Sequence, residues 1–354
     1  MPNPVLPRLP RSFRYLSAAR RGLLGLSLLL AACQSKQDET DAATTPPVGH
    51  YEGSISLDGQ PAVRAALDIR HPRVGHYEAE LTAPGDGTLG FVADTISFRN
   101  NTLQLKRPAR TGQVLTLKME GDFLRGTLAL DSSTAQALLV KRGSPTPSTY
   151  RVEELPQATG SAWLFAPADT STPGPALALL PDAETAPTSA IWADALAREG
   201  VIVLLLPAVD SMTGPAETAR LAQALKLLRG TAGADSATIG AWAVGTRAAL
   251  LAQLLVDDAS LRVNFLIAQN APVAPTNRAA WRELRTRKLP VLGLYGGAAA
   301  NQPAAAMRQA LGGRRSNTVR AYRAVGPDLL VAGGLSPRFG AGLPADVVEW
   351  LRSR

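Results

Sequence analysis

The chain has 354 residues, 45% of them hydrophobic, with one cysteine and a formal net charge of +8. That length allows two domains with sizeable cores, so a disulfide framework is neither needed nor available. The charge is no nucleic-acid footprint either: five arginines and no acids precede Cys33, leaving 32 basic against 29 acidic residues, and no basic run is interleaved with aromatics.

The N-terminus carries Arg8, Arg11, Arg14, Arg20 and Arg21, then an apolar run from Gly22 to Leu30. This is the layout of an export signal, and the run is too short to span a bilayer. The tetrad Leu30-Ala31-Ala32-Cys33 resembles the lipobox of bacterial lipoproteins. The resemblance implies a signal peptide over residues 1–32, acyl chains such as palmitate on Cys33, and a membrane as partner. Two acyl chains suffice for stable anchoring where one binds only marginally. Gln34 after the cysteine is similar to lipoproteins sent to the outer membrane, and Ser35-Lys36-Gln37-Asp38-Glu39 is either a surface-export tag of the kind some Bacteroidetes lipoproteins use or a plain polar tether. The expected location is the cell envelope, at the outer membrane, on its periplasmic face or at the cell surface.

Residues 33–47 are polar, small or proline, the composition of a flexible tether. From 48 to 142, short alternating runs such as Thr102-Leu103-Gln104-Leu105 and Val114-Leu115-Thr116-Leu117 recur between turn signals Asp58-Gly59, Asn100-Asn101 and Gly121-Asp122. Asparagine and glycine accept positive φ, so these close hairpins, and the stretch is expected to form a small antiparallel barrel or sandwich. Residues 143–149, Gly-Ser-Pro-Thr-Pro-Ser-Thr, read as a linker. From 150 to 354, apolar runs such as Val201 to Leu206 alternate with helical patterns such as Ser189 to Glu199 and Ala216 to Arg229. That rhythm predicts a doubly wound, mostly parallel α/β sheet. No Gly-rich dinucleotide fingerprint follows the early strands and no cofactor is expected.

Trp192-Ala193-Asp194-Ala195-Leu196-Ala197-Arg198-Glu199-Gly200-Val201-Ile202-Val203-Leu204 and Thr238-Ile239-Gly240-Ala241-Trp242 resemble the α/β-hydrolase family, in particular exported hydrolases of the dienelactone-hydrolase and acyl-peptidase-like kind. The resemblance implies a serine at a strand-to-helix elbow, a histidine near the C-terminus and an acid after a late strand. This chain departs at each place: Gly245 stands at the nucleophile position, Asp328 in the histidine loop Gly326-Pro327-Asp328-Leu329, and Ala299 in the carboxylate loop Gly296-Gly297-Ala298-Ala299-Ala300. The histidines are His50, His71 and His76, all in the first half. The catalytic set is therefore expected to be degenerate, and no catalytic residue is assigned.

Other chemistry finds thin support. His71 and His76 with Glu78 and Glu80 could ligate a metal but read as surface residues beside a hairpin, and no metal site is expected. Asp182, Asp210 and Asp235 read as loop acids, and the five tryptophans as packing residues. Gly245, Thr246 and Arg247 at a helix N-terminus could receive an anion, with Arg247 pointing to solvent or into the pocket. The sequence thus points to an envelope protein that binds or scaffolds. The alternatives are an active esterase or peptidase-like hydrolase using Ser211 or Ser336 with Lys226 or Lys288, and a solute- or glycan-binding module centred on the β region.

Overall fold

The computed structural model describes residues 45–157, 160–208, 214–312 and 317–354. Cys33, the leader, most of the tether, Asp210 and Ser211 lie outside the described residues. Thr44–Arg354 form one compact unit.

Alternation builds the first half. Strands β1 (Gly49–Ser56), β2 (Val63–Arg73), β3 (His76–Thr82), β4 (Phe91–Val92), β5 (Thr95–Arg99), β6 (Thr102–Arg107), β7 (Arg110–Glu120), β8 (Phe123–Ala129) and β9 (Thr134–Gly143) form a nine-stranded sheet in the order β4-β3-β2-β1-β9-β8-β7-β6-β5. Every pairing is antiparallel, and β1 pairs with both β2 and β9, so the meander curls on itself as an open barrel. Its period of two is visible in β9, where Ala135, Ala137 and Leu139 are buried while Gln136 and Leu138 are exposed. Inward residues such as Ile55, Leu67, Leu105, Leu117 and Leu139 fill the interior. The turns sit where predicted, with Asn100 at φ 50, Asn101 at φ 58 and Gly121 at φ 61.

A second sheet of eight strands has the order β10-β11-β13-β12-β14-β15-β16-β17. The strands are β10 (Tyr150–Gln157), β11 (Gly160–Pro167), β12 (Gly174–Leu180), β13 (Ile202–Leu205), β14 (Ala234–Val244), β15 (Leu266–Gln269), β16 (Val291–Gly296) and β17 (Thr318–Tyr322). The helices are α1 (Ala186–Arg198), α2 (Gly214–Gly230), α3 (Gly245–Asp257), α4 (Arg278–Thr286), α5 (Asn301–Leu311) and α6 (Ala345–Arg352). A small hairpin joins β18 (Leu330–Val331) to β19 (Arg338–Phe339). Successive strand residues feed two cores: Leu177 and Leu179 join one with Trp192 and Trp350, while Ala178 and Leu180 join the other with Leu251 and Trp281. The expected packing role of the tryptophans agrees with the burial of four of them, from 0% exposed at Trp242 and Trp281 to 6% at Trp350, while Trp163 is partly buried.

The expected fold class, an α/β-hydrolase-like doubly wound and mostly parallel sheet after a small β barrel or sandwich, does not hold. The larger sheet is wholly antiparallel, and the second is mixed, because β10 and β11 form an antiparallel hairpin and β11 runs against β13. The physical reason lies in Tyr150 to Pro167: a run buried on both faces, such as Ala162-Trp163-Leu164-Phe165-Ala166, looks the same in sequence whichever way its neighbour runs.

Buried charges join the two sheets. Arg107, at the end of β6, pairs with Asp194 of α1, both side chains 2% exposed. Tyr150 Oη donates to the other Asp194 oxygen at 2.6 Å and accepts from Val92 N at 2.9 Å. Ser336 Oγ lies 2.6 Å from Thr88 Oγ1, and Leu335 enters the barrel core beside it. The 143–149 segment is fastened to the barrel wall, with Thr146 N and Oγ1 each donating to Asp68 at 2.7 Å and Ser148 Oγ to Glu78 at 2.7 Å.

Candidate functional site

β14 runs directly into α3, and the backbone changes hand at the junction. Val244 is extended (φ −115, ψ 144) and Gly245 is left-handed at φ 59. A strand, a strained turn and a helix in this order lift one side chain above the sheet edge, and glycine takes such a φ without steric cost. A Cβ at Gly245 would lie 2.7 Å from Asp182 Oδ2. The carboxylate of Asp182 thus occupies the ground a nucleophilic side chain would need. It is held there by its own turn, where Oδ1 accepts from Thr185 N at 2.9 Å and Thr185 Oγ1 at 2.7 Å as α1 begins.

Beneath this turn the ends of β12, β14 and β15 leave little space. A cavity of about 10 Å³ remains between Pro181, Ser189, Trp192, Trp242, Val244 and Asp328, room for one water at most. A chain of neutral hydrogen bonds lines it. Trp192 Nε1 donates to the Asp328 carbonyl at 2.9 Å, Trp242 Nε1 to Gln269 Oε1 at 2.9 Å, and Gln269 Nε2 to the Pro327 carbonyl at 2.7 Å. Asn270 Nδ2 holds the same Pro327 carbonyl at 2.6 Å. Trp192 packs on Trp242 with ring centroids 5.0 Å apart and edge-on against Phe339 at 4.8 Å. The loop carrying Asp328 is therefore drawn down onto the strand ends, and Asp328 Oδ1 accepts from Leu330 N at 3.1 Å.

Of the three positions singled out by sequence, Asp328 lines this cavity together with Val244, the residue before Gly245. Ala299 is exposed in its loop and does not line it.

Arg247 departs from its expected orientation. It is buried rather than turned to solvent or into the pocket, because the third residue of α3 faces α2. Its Nε and Nη2 donate to Glu217 Oε1 at 3.0 and 2.7 Å, and Nη1 donates to the Pro181 carbonyl at 2.5 Å. Its charge is spent on Glu217, so only backbone N–H groups and the exposed Thr246 remain at the turn for an anion.

The residues of the rival hydrolase reading lie apart. Ser336 is 8% exposed at the junction of the sheets, with Asp86 Oδ2 3.3 Å away, while Lys226 and Lys288 are exposed on the surface. His71 stacks on Tyr77 at 4.3 Å, His76 faces Glu78 at 3.4 Å, and Glu80 is buried against Arg70 and Arg198. Among the described residues no group of three or more His, Cys, Asp and Glu side chains could hold a metal ion. The structure also contains a polar centre that the sequence did not suggest: Arg107, Arg110, Gln113, Asp131, Asp194 and Tyr150 at one end of the barrel. Burial, with Arg107 beside it, lowers the Arg110 pKa to about 10. No local pattern announces this centre, since Arg107 and Asp194 are 87 residues apart.

No protein-family profile and no curated protein matches the sequence. Among solved structures, the chain is similar to a crystal structure described as a "putative dienelactone hydrolase" from Klebsiella pneumoniae subsp. pneumoniae MGH 78578. The two are 15% identical with a TM-score of 0.41, and the match covers 58% of this chain and 100% of that one.

Proposed function

We propose that this is a lipid-anchored envelope protein that acts by binding or scaffolding and not by hydrolysis. The observation that carries the reading is the filled turn: Gly245 takes the nucleophile's place, and the Asp182 carboxylate stands 2.7 Å from where its Cβ would be. The small volume left there, about 10 Å³, supports it, since an acyl substrate needs a site tens of times larger. The location of all three histidines on β1 to β3 supports it as well, because a serine nucleophile needs a base within hydrogen-bond reach. Acylation at Cys33 and an outer-membrane location rest on the lipobox-like tetrad and on Gln34.

The test exposes the full chain to a fluorophosphonate probe and to a panel of chromogenic esters. No covalent labelling and no saturable turnover is the expected result. Labelling that maps to any serine would sink the non-catalytic reading, and Ser336 and Ser211 are the first to map.

A further inference from the structure

The two ends of the barrel differ in what they face. The register puts the start of β1, the β2–β3 hairpin tip at Arg73 to His76, the turns Asn100-Asn101 and Gly121-Asp122, and the end of β9 at one end, because Gly49 pairs with Ile69, His50 with Gly143 and Phe123 with Val140. Arg107, Arg110, Thr88 and Asp131, with their links to Asp194 and Ser336, gather at the other. The chain enters at the first end, since Val48 immediately precedes β1.

That first end is where exposed apolar side chains collect. The exposed large hydrophobics among the described residues are Val48 at 37%, Val74 at 97%, Phe123 at 47% and Leu138 at 43%. Val48, Val74 and Phe123 sit at the chain-entry end, while Leu138 is the next outward residue on β9 beyond Val140, the partner of Phe123. Single exposed hydrophobics are ordinary, but three of four gathered at one end of the barrel are not. The exposed cations Arg73, Arg99, Lys118, Arg125, Lys141 and Arg142 surround them, against Glu52, Glu78, Glu120 and Asp122. Apolar tips inside a modest basic excess are the chemistry of a protein surface that seats in an anionic lipid interface.

We infer that the chain-entry end of the barrel, through Val74, Phe123 and Val48, docks on the surface of an anionic bilayer and holds the second sheet away from it. The inference deepens the anchored reading proposed above and rests on it for orientation. The thirteen residues from Cys33 to Thr45 reach at most about 45 Å, so an acylated Cys33 keeps this end within range of the lipid. At the other end, Arg107 and Thr88 are covered by Asp194 of α1 and by Ser336, and the exposed β1–β2 turn carries none of the large exposed hydrophobics.

The experiment uses the full chain, into which a single cysteine is introduced for an environment-sensitive fluorophore, Val74→Cys or Phe123→Cys at the docking end and Asp58→Cys in the β1–β2 turn at the other. An acylated Cys33 does not react with the label, and the mass of the N-terminal peptide reports separately whether Cys33 is acylated. Each protein is added to vesicles of phosphatidylglycerol and phosphatidylcholine, and quenching by aqueous iodide is measured. Protection of positions 74 and 123 by roughly threefold or more, none at 58, and weaker protection on pure phosphatidylcholine is the expected result. Equal iodide access at 74, 123 and 58 overturns docking even if Cys33 proves acylated. Where Cys33 proves unmodified, the same positions are labelled in a Cys33→Ser background, and protection at 74 and 123 there upholds docking and removes the anchor. In a Cys33→Ser background, which has no acyl anchor, Phe123→Asp in the Val74→Cys protein should cut the partition into vesicles about tenfold, and an unchanged partition counts against the surface.

Discussion

Two places in this protein are closed, and they are closed by different chemistry. At the inner end of the barrel the stopper is ionic: Arg107 and Asp194 meet with both side chains 2% exposed, Tyr150 donates to the same carboxylate, and Arg110 pairs with Asp131. At the C-terminal strand ends of the second sheet the stopper is neutral: Trp192, Gln269 and Asn270 donate to loop carbonyls and Trp242 donates to Gln269, beside a residual space of about 10 Å³. The comparison teaches where the structure is brittle. Removing one member of a buried ion pair strands the other charge without water, while removing one neutral donor strands a single carbonyl.

The most severe way to test that contrast is Asp194→Ala. It leaves the Arg107 guanidinium buried with only carbonyl and amide acceptors and takes the partner from the Tyr150 hydroxyl. A loss of about 3–5 kcal/mol in the free energy of unfolding by urea is expected. The double replacement Arg107→Met with Asp194→Leu should cost much less than Asp194→Ala, because it removes both charges and keeps the volume. If the double variant is the less stable of the two, the ionic stopper contributes net stability and the contrast with the neutral one disappears.

Next in size is Gly245→Ser, which would put a serine at the elbow. A residue other than glycine at φ 59 is strained, and its Cβ meets Asp182 Oδ2 at 2.7 Å. A cost of about 1–3 kcal/mol is expected, with no esterase activity gained. Combining it with Asp182→Ala should cost less than the two single changes added together, since the second change removes the obstacle to the first. Strict additivity would show that the carboxylate simply moves aside. Gln269→Ala should cost about 1–2 kcal/mol, because it leaves Trp242 Nε1 without its acceptor and takes one of two donors from the Pro327 carbonyl.

These positions also mark how far the sequence could be read. The meander was legible because Leu103 and Leu105, then Leu115 and Leu117, alternate with polar residues, and because Asn100-Asn101 accepts the turn's positive φ. The elbow was legible because an apolar strand meets a helix at a glycine. The mixed character of the second sheet was not, since Glu153-Glu154 and Pro156 in β10 disguise a strand, and strand direction leaves no mark on a doubly buried run. Neither stopper could be seen: Trp192 reaches the Asp328 carbonyl across 136 residues, and both ends of each contact look like ordinary packing or loop residues. The orientation of Arg247 was misjudged for the same reason, its partner Glu217 being 30 residues away on another helix.

The smallest expected effect lies between the two extremes, at a partly exposed ionic contact on the barrel wall. His50 Nδ1 is 2.9 Å from Asp68 Oδ1, with side chains 20% and 6% exposed, and His50 Nε2 is 3.3 Å from Glu52. The hydrogen bond to Asp68 raises the His50 pKa above 6.5 against the opposing effect of burial, with Glu52 adding to the rise. Burial pushes the Asp68 pKa up, but hydrogen bonds from Thr146 and from His50 together bring it below 3.8. A raised histidine pKa contributes stability that is complete below about pH 6.5 and is lost as pH rises through the folded value. A lowered carboxylate pKa contributes stability that is present above about pH 3.8 and is lost as pH falls through its folded value. Between those limits both contributions operate. His50→Gln should therefore flatten the decline in melting temperature between about pH 6 and 8.5, by no more than about 1–2 °C for a chain of this size, and leave the acid limb largely in place through Thr146. Asp68→Asn should flatten both limbs and also loosen the 143–149 segment, seen as faster amide exchange at Thr146. If wild type and His50→Gln melt in parallel across that range, the ion pair on the barrel wall contributes nothing measurable, and charge matters to this fold only where it is fully buried.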